Sequence, residues 1–136
     1  MTAVVGVSLA LAVAGCSSPT DAAGGAADVR GTWQYSGQQS APSLQLTGTL
    51  VIAFQDGALL TGSLSWEEPD GSSGTRLQAG PVSGRVIERS DIDFDVFVAD
   101  GTRRHVARLG DGSMNGAWVQ IETGRSGQFV AVRGTP

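Results

Sequence analysis

The sequence predicts an all-β domain, an eight-stranded antiparallel up-and-down β-barrel, placed behind a signal peptide and a flexible tether. Three observations predict it. From residue 28 onward apolar residues alternate with polar or small ones at the period of two that marks a strand with one buried face. Asp-Gly pairs, which favour the positive φ angles of tight hairpin turns, stand at 56–57, 100–101 and 111–112 between such runs. A glycine-centred frame also recurs on four runs, as LTGTL (Leu46 to Leu50), LTGSL (Leu60 to Leu64), VSGRV (Val82 to Val86) and MNGAW (Met114 to Trp118). Glycine weakens an ordinary strand, so its repetition at inward positions points to a sheet that must bend sharply.

The elements follow in order. Residues 3–15, AVVGVSLALAVAG, are uncharged and mostly apolar, too short for a bilayer core of about 30 Å but the size of a signal-peptide core. Cys16, the single cysteine, ends the run. The segment VAGC, Val13 to Cys16, resembles the lipobox of bacterial lipoproteins, in which small residues precede a cysteine that is cleaved free and lipidated. The competing reading, an ordinary cysteine after an apolar strand, is weaker because nothing beyond residue 16 continues a strand or helix pattern. The n-region departs from expectation, since its only positive charge is the amino terminus. Residues 16–27 then form the lipidated cysteine and a small, polar, glycine-containing linker, and the barrel domain occupies 28–136.

Alternation and turn signals place strands at about 28–36, 43–55, 58–68, 80–89, 91–99, 102–110, 113–122 and 126–134. An even number of antiparallel strands with short links closes naturally into a barrel, which leaves no unpaired edge. Even-numbered residues point inward on strands two to five, Phe54 included. Two-residue turns at 100–101 and 111–112 set Val96 against His105 and His105 against Trp118, so Arg103 and His105 face inward; parity across 56–57 needs a three-residue loop. Asp91, Asp93 and Asp95 form an outward acidic stripe beside outward arginines and read as an ion-paired solvated face. The longer segments Ser36 to Pro42 and Glu67 to Gly80 read as loops at the upper end, the second as a mobile rim, while Trp33, Phe54, Met114 and Arg133 close the lower end.

Gly31, Thr32 and Trp33 on the first strand, with Arg133 near the end of the last, resemble the Gly-x-Trp and terminal-arginine signature of the calycin superfamily, which includes lipocalins and avidins. The resemblance implies a lipocalin-like barrel in which Trp33 plugs the closed end and Arg133 packs across it. Biotin binding is not implied, because the place of the avidin asparagine holds Tyr35 and that of the tyrosine, after either LTG, holds Thr49-Leu50 or Ser63-Leu64. The phrasing is also similar to that of bacterial envelope lipoproteins with a small barrel domain.

A net charge of −4, with nine scattered arginines and no lysine, argues against a nucleic-acid surface. One histidine, one cysteine and no nucleophile elbow or phosphate loop leave no constellation for catalysis, a metal or a cofactor. The surface acids Glu67 and Glu68 read as solvated. What remains is binding. Tyr35, Trp66, Arg103, His105, Gln120 and Phe129 are inward residues toward the upper mouth, with Trp118 lower down, and they give aromatic walls with a few polar groups suited to a small apolar or amphipathic ligand. The other reading is a filled barrel that serves as a structural or inhibitor-like module for an envelope protein, since eight strands enclose space that side chains alone can occupy. Both readings expect a lipid-anchored protein of the bacterial cell envelope.

Overall fold

A computed structural model describes residues 25–134. Cys16, the signal peptide and most of the tether lie outside the described residues. Eight strands run in chain order: β1 Gly31–Ser40, β2 Ser43–Asp56, β3 Leu59–Pro69, β4 Thr75–Ile87, β5 Asp91–Val98, β6 Gly101–Leu109, β7 Ser113–Gln120 and β8 Ser126–Arg133. Each pairs antiparallel with the next and β8 returns to β1, so the sheet is a closed barrel with no free edge.

The recurring glycine is explained by the register. Gly48 lies opposite Trp66, and Gly62 opposite Ile52. A Cβ at Gly62 would stand 1.8 Å from the carbonyl oxygen of Val51, and one at Gly48 would stand 1.9 Å from that of Ser65. The obstacle is thus the backbone of the paired strand rather than a large core neighbour: the two strands come so close at the bend that no side chain fits.

Three expectations about the wall are corrected. The β2–β3 turn has two residues rather than three, and parity is restored by a bulge between Ile52 and Phe54. That bulge turns Phe54 outward, where it is 62% exposed, so Phe54 takes no part in closing the lower end. It also frees Gln55 to bracket the entering chain, accepting from the Val29 amide at 2.9 Å and donating to the Ala27 carbonyl at 2.8 Å. Second, Val96 pairs with Arg103 and not His105, because the β5–β6 turn falls at Ala99-Asp100. A slip of two residues keeps the same side chains inside, so Arg103 and His105 are still buried, and His105 does pair with Trp118.

Third, the upper wall is taller than the sequence pattern indicates. β1 continues to Ser40 and turns through Ala41 and Pro42 directly into β2, while β3 and β4 extend to Pro69 and back from Thr75. The segment expected to be a long rim loop is therefore largely ladder, with Glu68 opposite Arg76 and Trp66 opposite Gln78. Cross-strand pairing of an inward carboxylate with an arginine sustains the hairpin where a purely polar composition reads as loop.

The core runs through the barrel from Val29, Trp33, Ile92 and Met114 at the lower end to Trp66 and Trp118 at the upper. At the bottom the Arg133 guanidinium lies 4.4 Å over the Trp33 ring and donates to the carbonyls of Arg30 at 2.7 Å and Asp28 at 3.0 Å. The Trp33 indole donates in turn to the Val29 carbonyl at 3.0 Å, so residues 28–30 are strapped across the closed end. The acidic stripe is ion-paired outside, with Asp91, Asp95 and Asp93 reaching Arg108, Arg104 and Arg85 at 3.0, 3.0 and 3.4 Å.

Candidate functional site

The inward residues of the upper half fall into two groups, one above the other. The lower group is aromatic. Tyr35 of β1 stacks on Phe129 of β8 with centroids 5.4 Å apart, and His105 of β6 stacks on Phe94 of β5 at 4.6 Å. His105 Nδ1 lies 3.3 Å from the Arg103 carbonyl, which only accepts, so that nitrogen is assigned the proton and Nε2 accepts from the Tyr35 hydroxyl at 3.1 Å. Burial pushes the imidazole pKa down to about 3, more than the Arg103 carbonyl holds it up, so His105 is neutral; the same desolvation pushes the Tyr35 phenol up. Because β1 runs to Ser40 rather than residue 36, Tyr35, His105 and Phe129 sit in mid-barrel and not at the mouth.

Above them lies a polar layer. The Arg103 guanidinium is held between two indoles, 4.4 Å from the Trp66 ring centroid and 4.5 Å from that of Trp118. Glu68 caps it: Glu68 Oε2 accepts from Trp66 Nε1 at 3.1 Å and lies 3.6 Å from Arg103 Nη2, while Oε1 accepts from Arg76 Nε at 3.1 Å and also meets Arg76 Nη2. Burial pushes the Glu68 carboxyl up, but the hydrogen bonds from Arg76 and Trp66 outweigh it and hold the group below its ordinary range. Glu68 is thus no solvated surface acid; it is 3% exposed. Gln120 donates to the Asp100 carbonyl at 2.8 Å.

Trp66, Trp118 and His105 are at most 2% exposed, and the slot between the two tryptophans is filled by Arg103 itself. The interior at this level is therefore packed. A rim cavity of about 280 Å³ lies above it, lined by Gln39, Leu44, Glu68, Arg76 and Arg125 among others. The sequence pattern missed Glu68, Gln39 and Gln78 as inward residues of this layer, although Glu68 shares the parity of Leu64 and Trp66. That parity was the available signal. Among the described residues no three His, Cys, Asp or Glu side chains converge as metal ligands.

Among the described residues the layer is not fully satisfied. Arg103 Nε and Nη2, Trp118 Nε1 and Gln120 Oε1 are buried without a hydrogen-bond partner. Unpaired buried polar atoms cost about 1–3 kcal/mol each, so a barrel built only for stability would carry apolar side chains here.

In class, then, the molecule is a closed eight-stranded antiparallel barrel with an apolar closed end and a polar layer beneath its open end. No family model and no curated protein matches the chain. Solved structures of the same fold include designed and redesigned β-barrels. A de novo designed fluorescence-activating β-barrel is 18% identical with a TM-score of 0.63, the match covering 77% of this chain and 93% of that one. A redesigned barrel, mFAP1, bound to DFHBI is 12% identical with a TM-score of 0.67 over 77% of this chain and 94% of its own. A second DFHBI-bound barrel, EF1p2-mFAP2b, is 10% identical with a TM-score of 0.66 over 78% and 94%. At these identities the likeness is one of fold.

Proposed function

We propose that the chain is a non-catalytic binding protein of the bacterial cell envelope, lipidated at Cys16, whose barrel takes a small amphipathic ligand at its upper end. The observation that carries this reading is the unsatisfied polar layer. Arg103, Trp118 and Gln120 present unpartnered polar atoms in a buried setting directly below the open end, and a ligand's polar group is what would satisfy them. Two barrels of this fold hold DFHBI, which supports the capacity of the architecture for a small molecule. Since Arg103 fills the slot between Trp66 and Trp118, the ligand engages the top of the interior and the rim cavity rather than the whole barrel. The lipobox VAGC and the linker after it support display at a membrane surface.

A second reading, an envelope module that binds another protein through its upper hairpins, is favoured by the packing of Trp66, His105 and Trp118. Native mass spectrometry of protein extracted from bacterial membranes separates the two. A small-molecule adduct that is released on denaturation and absent from Arg103→Met supports the ligand reading; a bare mass with a co-isolating protein supports the second. Cys16→Ser is expected to release the protein from membranes, and retention there would end the anchor reading.

A further inference from the structure

We infer that the ligand carries a carboxylate, and that the Nε and Nη2 edge of Arg103 receives it; the inference rests on the ligand reading above. The geometry points to an anion in three ways. The faces of the guanidinium are covered by Trp66 and Trp118, so its remaining capacity lies in its plane, and there Nε and Nη2 are buried and unpaired. Those two N–H groups form the parallel fork that matches the two oxygens of a planar carboxylate.

The charge of the layer gives the second argument. Glu68 is shared by two guanidiniums, and it leans to Arg76, with which it hydrogen-bonds; its distance of 3.6 Å to Arg103 Nη2 is beyond hydrogen-bonding reach. Arg103 is thus a buried cation, 1% exposed, with half a counter-ion. A neutral ligand or a water satisfies hydrogen bonds but leaves that imbalance, whereas a second carboxylate removes it. Third, the two unpaired atoms at this edge, Arg103 Nε and Nη2, are both donors, with no unpaired acceptor on the guanidinium to match them. The surplus of donors calls for an accepting group.

Access is from the rim. Glu68 lines the rim cavity and also caps Arg103, so it stands between the two. When Glu68 moves fully onto Arg76, the Arg103 edge opens to the cavity, and Leu44, Pro42 and Pro69 are left as an apolar wall for the rest of the ligand. Glu68 is in this sense a gate that the incoming carboxylate replaces.

The test uses the full lipidated chain in phosphatidylcholine nanodiscs, titrated with hexanoate and with its neutral isostere hexanamide, and followed by tryptophan fluorescence and calorimetry. Hexanoate is expected to bind saturably and at least about tenfold more tightly than hexanamide, a difference typical of a charge-assisted fork. Arg103→Met, with its β-sheet circular dichroism intact, is expected to lose at least about that factor, while Arg89→Gln at the lower turn stays within about twofold. Should Arg103→Met fail to fold, Glu68→Gln decides: removing the competing carboxylate is expected to tighten hexanoate binding about threefold or more. Equal binding of hexanoate and hexanamide would overturn the carboxylate assignment and leave the ligand reading standing. Absence of binding by both, or weaker hexanoate binding in Glu68→Gln, would also overturn the assignment, and the ligand reading would then stand or fall on the native mass.

Discussion

Acidification should destabilise this barrel well above the range in which carboxylates titrate, and His105 is the reason. The imidazole is fully buried, stacked on Phe94, and spends Nε2 as the acceptor for the Tyr35 hydroxyl, an arrangement that requires the neutral form. Its pKa is pushed down to about 3 by burial, against 6.5 in the unfolded chain. The unfolded state therefore binds one proton more than the native state between these values, and stability rises with pH across the window. The contribution is complete above about pH 6.5 and is lost progressively as pH falls toward 3. Each pH unit of full difference is about 1.4 kcal/mol, so lowering the pH from about 7 to about 5 should cost about 2 kcal/mol. For a domain of this size that corresponds to a fall in Tm of about 8 °C. The lower limit of pH 5 keeps Glu68 and Asp28, both held below their ordinary carboxyl values, outside the measurement. Calorimetric melts of the wild type and of His105→Gln at both pH values make the comparison, and the readout is the slope, because the variant lowers Tm at every pH. A wild-type Tm that is flat over this interval, or an equal fall in His105→Gln, would refute the argument.

Gly62→Ala places a Cβ 1.8 Å from the Val51 oxygen and should cost at least about 2 kcal/mol, read as a lower urea midpoint, whereas Gly57→Ala, with open space but φ near +58°, should cost about 1 kcal/mol. Equal effects would show that the close approach at Gly62 is relieved by strand movement. Arg133→Met removes two hydrogen bonds to the strap at residues 28–30 and should lower stability by roughly 1–2 kcal/mol while exposing Trp33 to acrylamide quenching. An unchanged quenching constant would count against the strap. Arg104→Ala breaks the exposed pair with Asp95 and should leave the urea midpoint nearly unchanged at any salt concentration; a clear fall would mean that the outer ladder acts as a network.

What was legible in the sequence was whatever depends on near neighbours along the chain. The period of two set the inward face of every strand from Leu44 to Ile52 and from Ile92 to Val98, and inward glycines marked the bends. Phe54 was misread because a bulge adds a residue to one strand without altering the local pattern of apolar and polar positions. Glu68 was misread for a different reason. A carboxylate on the inward parity of a polar stretch looks like a loop residue until its partners are known, and those partners, Trp66, Arg76 and Arg103, come from three strands.

The sequence by itself determined that this chain forms strands, that they turn often enough to meander, and that Arg103, His105 and two tryptophans point inward, because parity and turn chemistry are properties of a few consecutive residues. Only the tertiary structure decided that β1 and the β3–β4 hairpin rise past the expected mouth, that Arg103 fills the slot between Trp66 and Trp118, and that its Nε and Nη2 are left without partners. Those facts depend on register around a closed ring, where a shift of two residues conserves every inward face and yet changes which side chains meet.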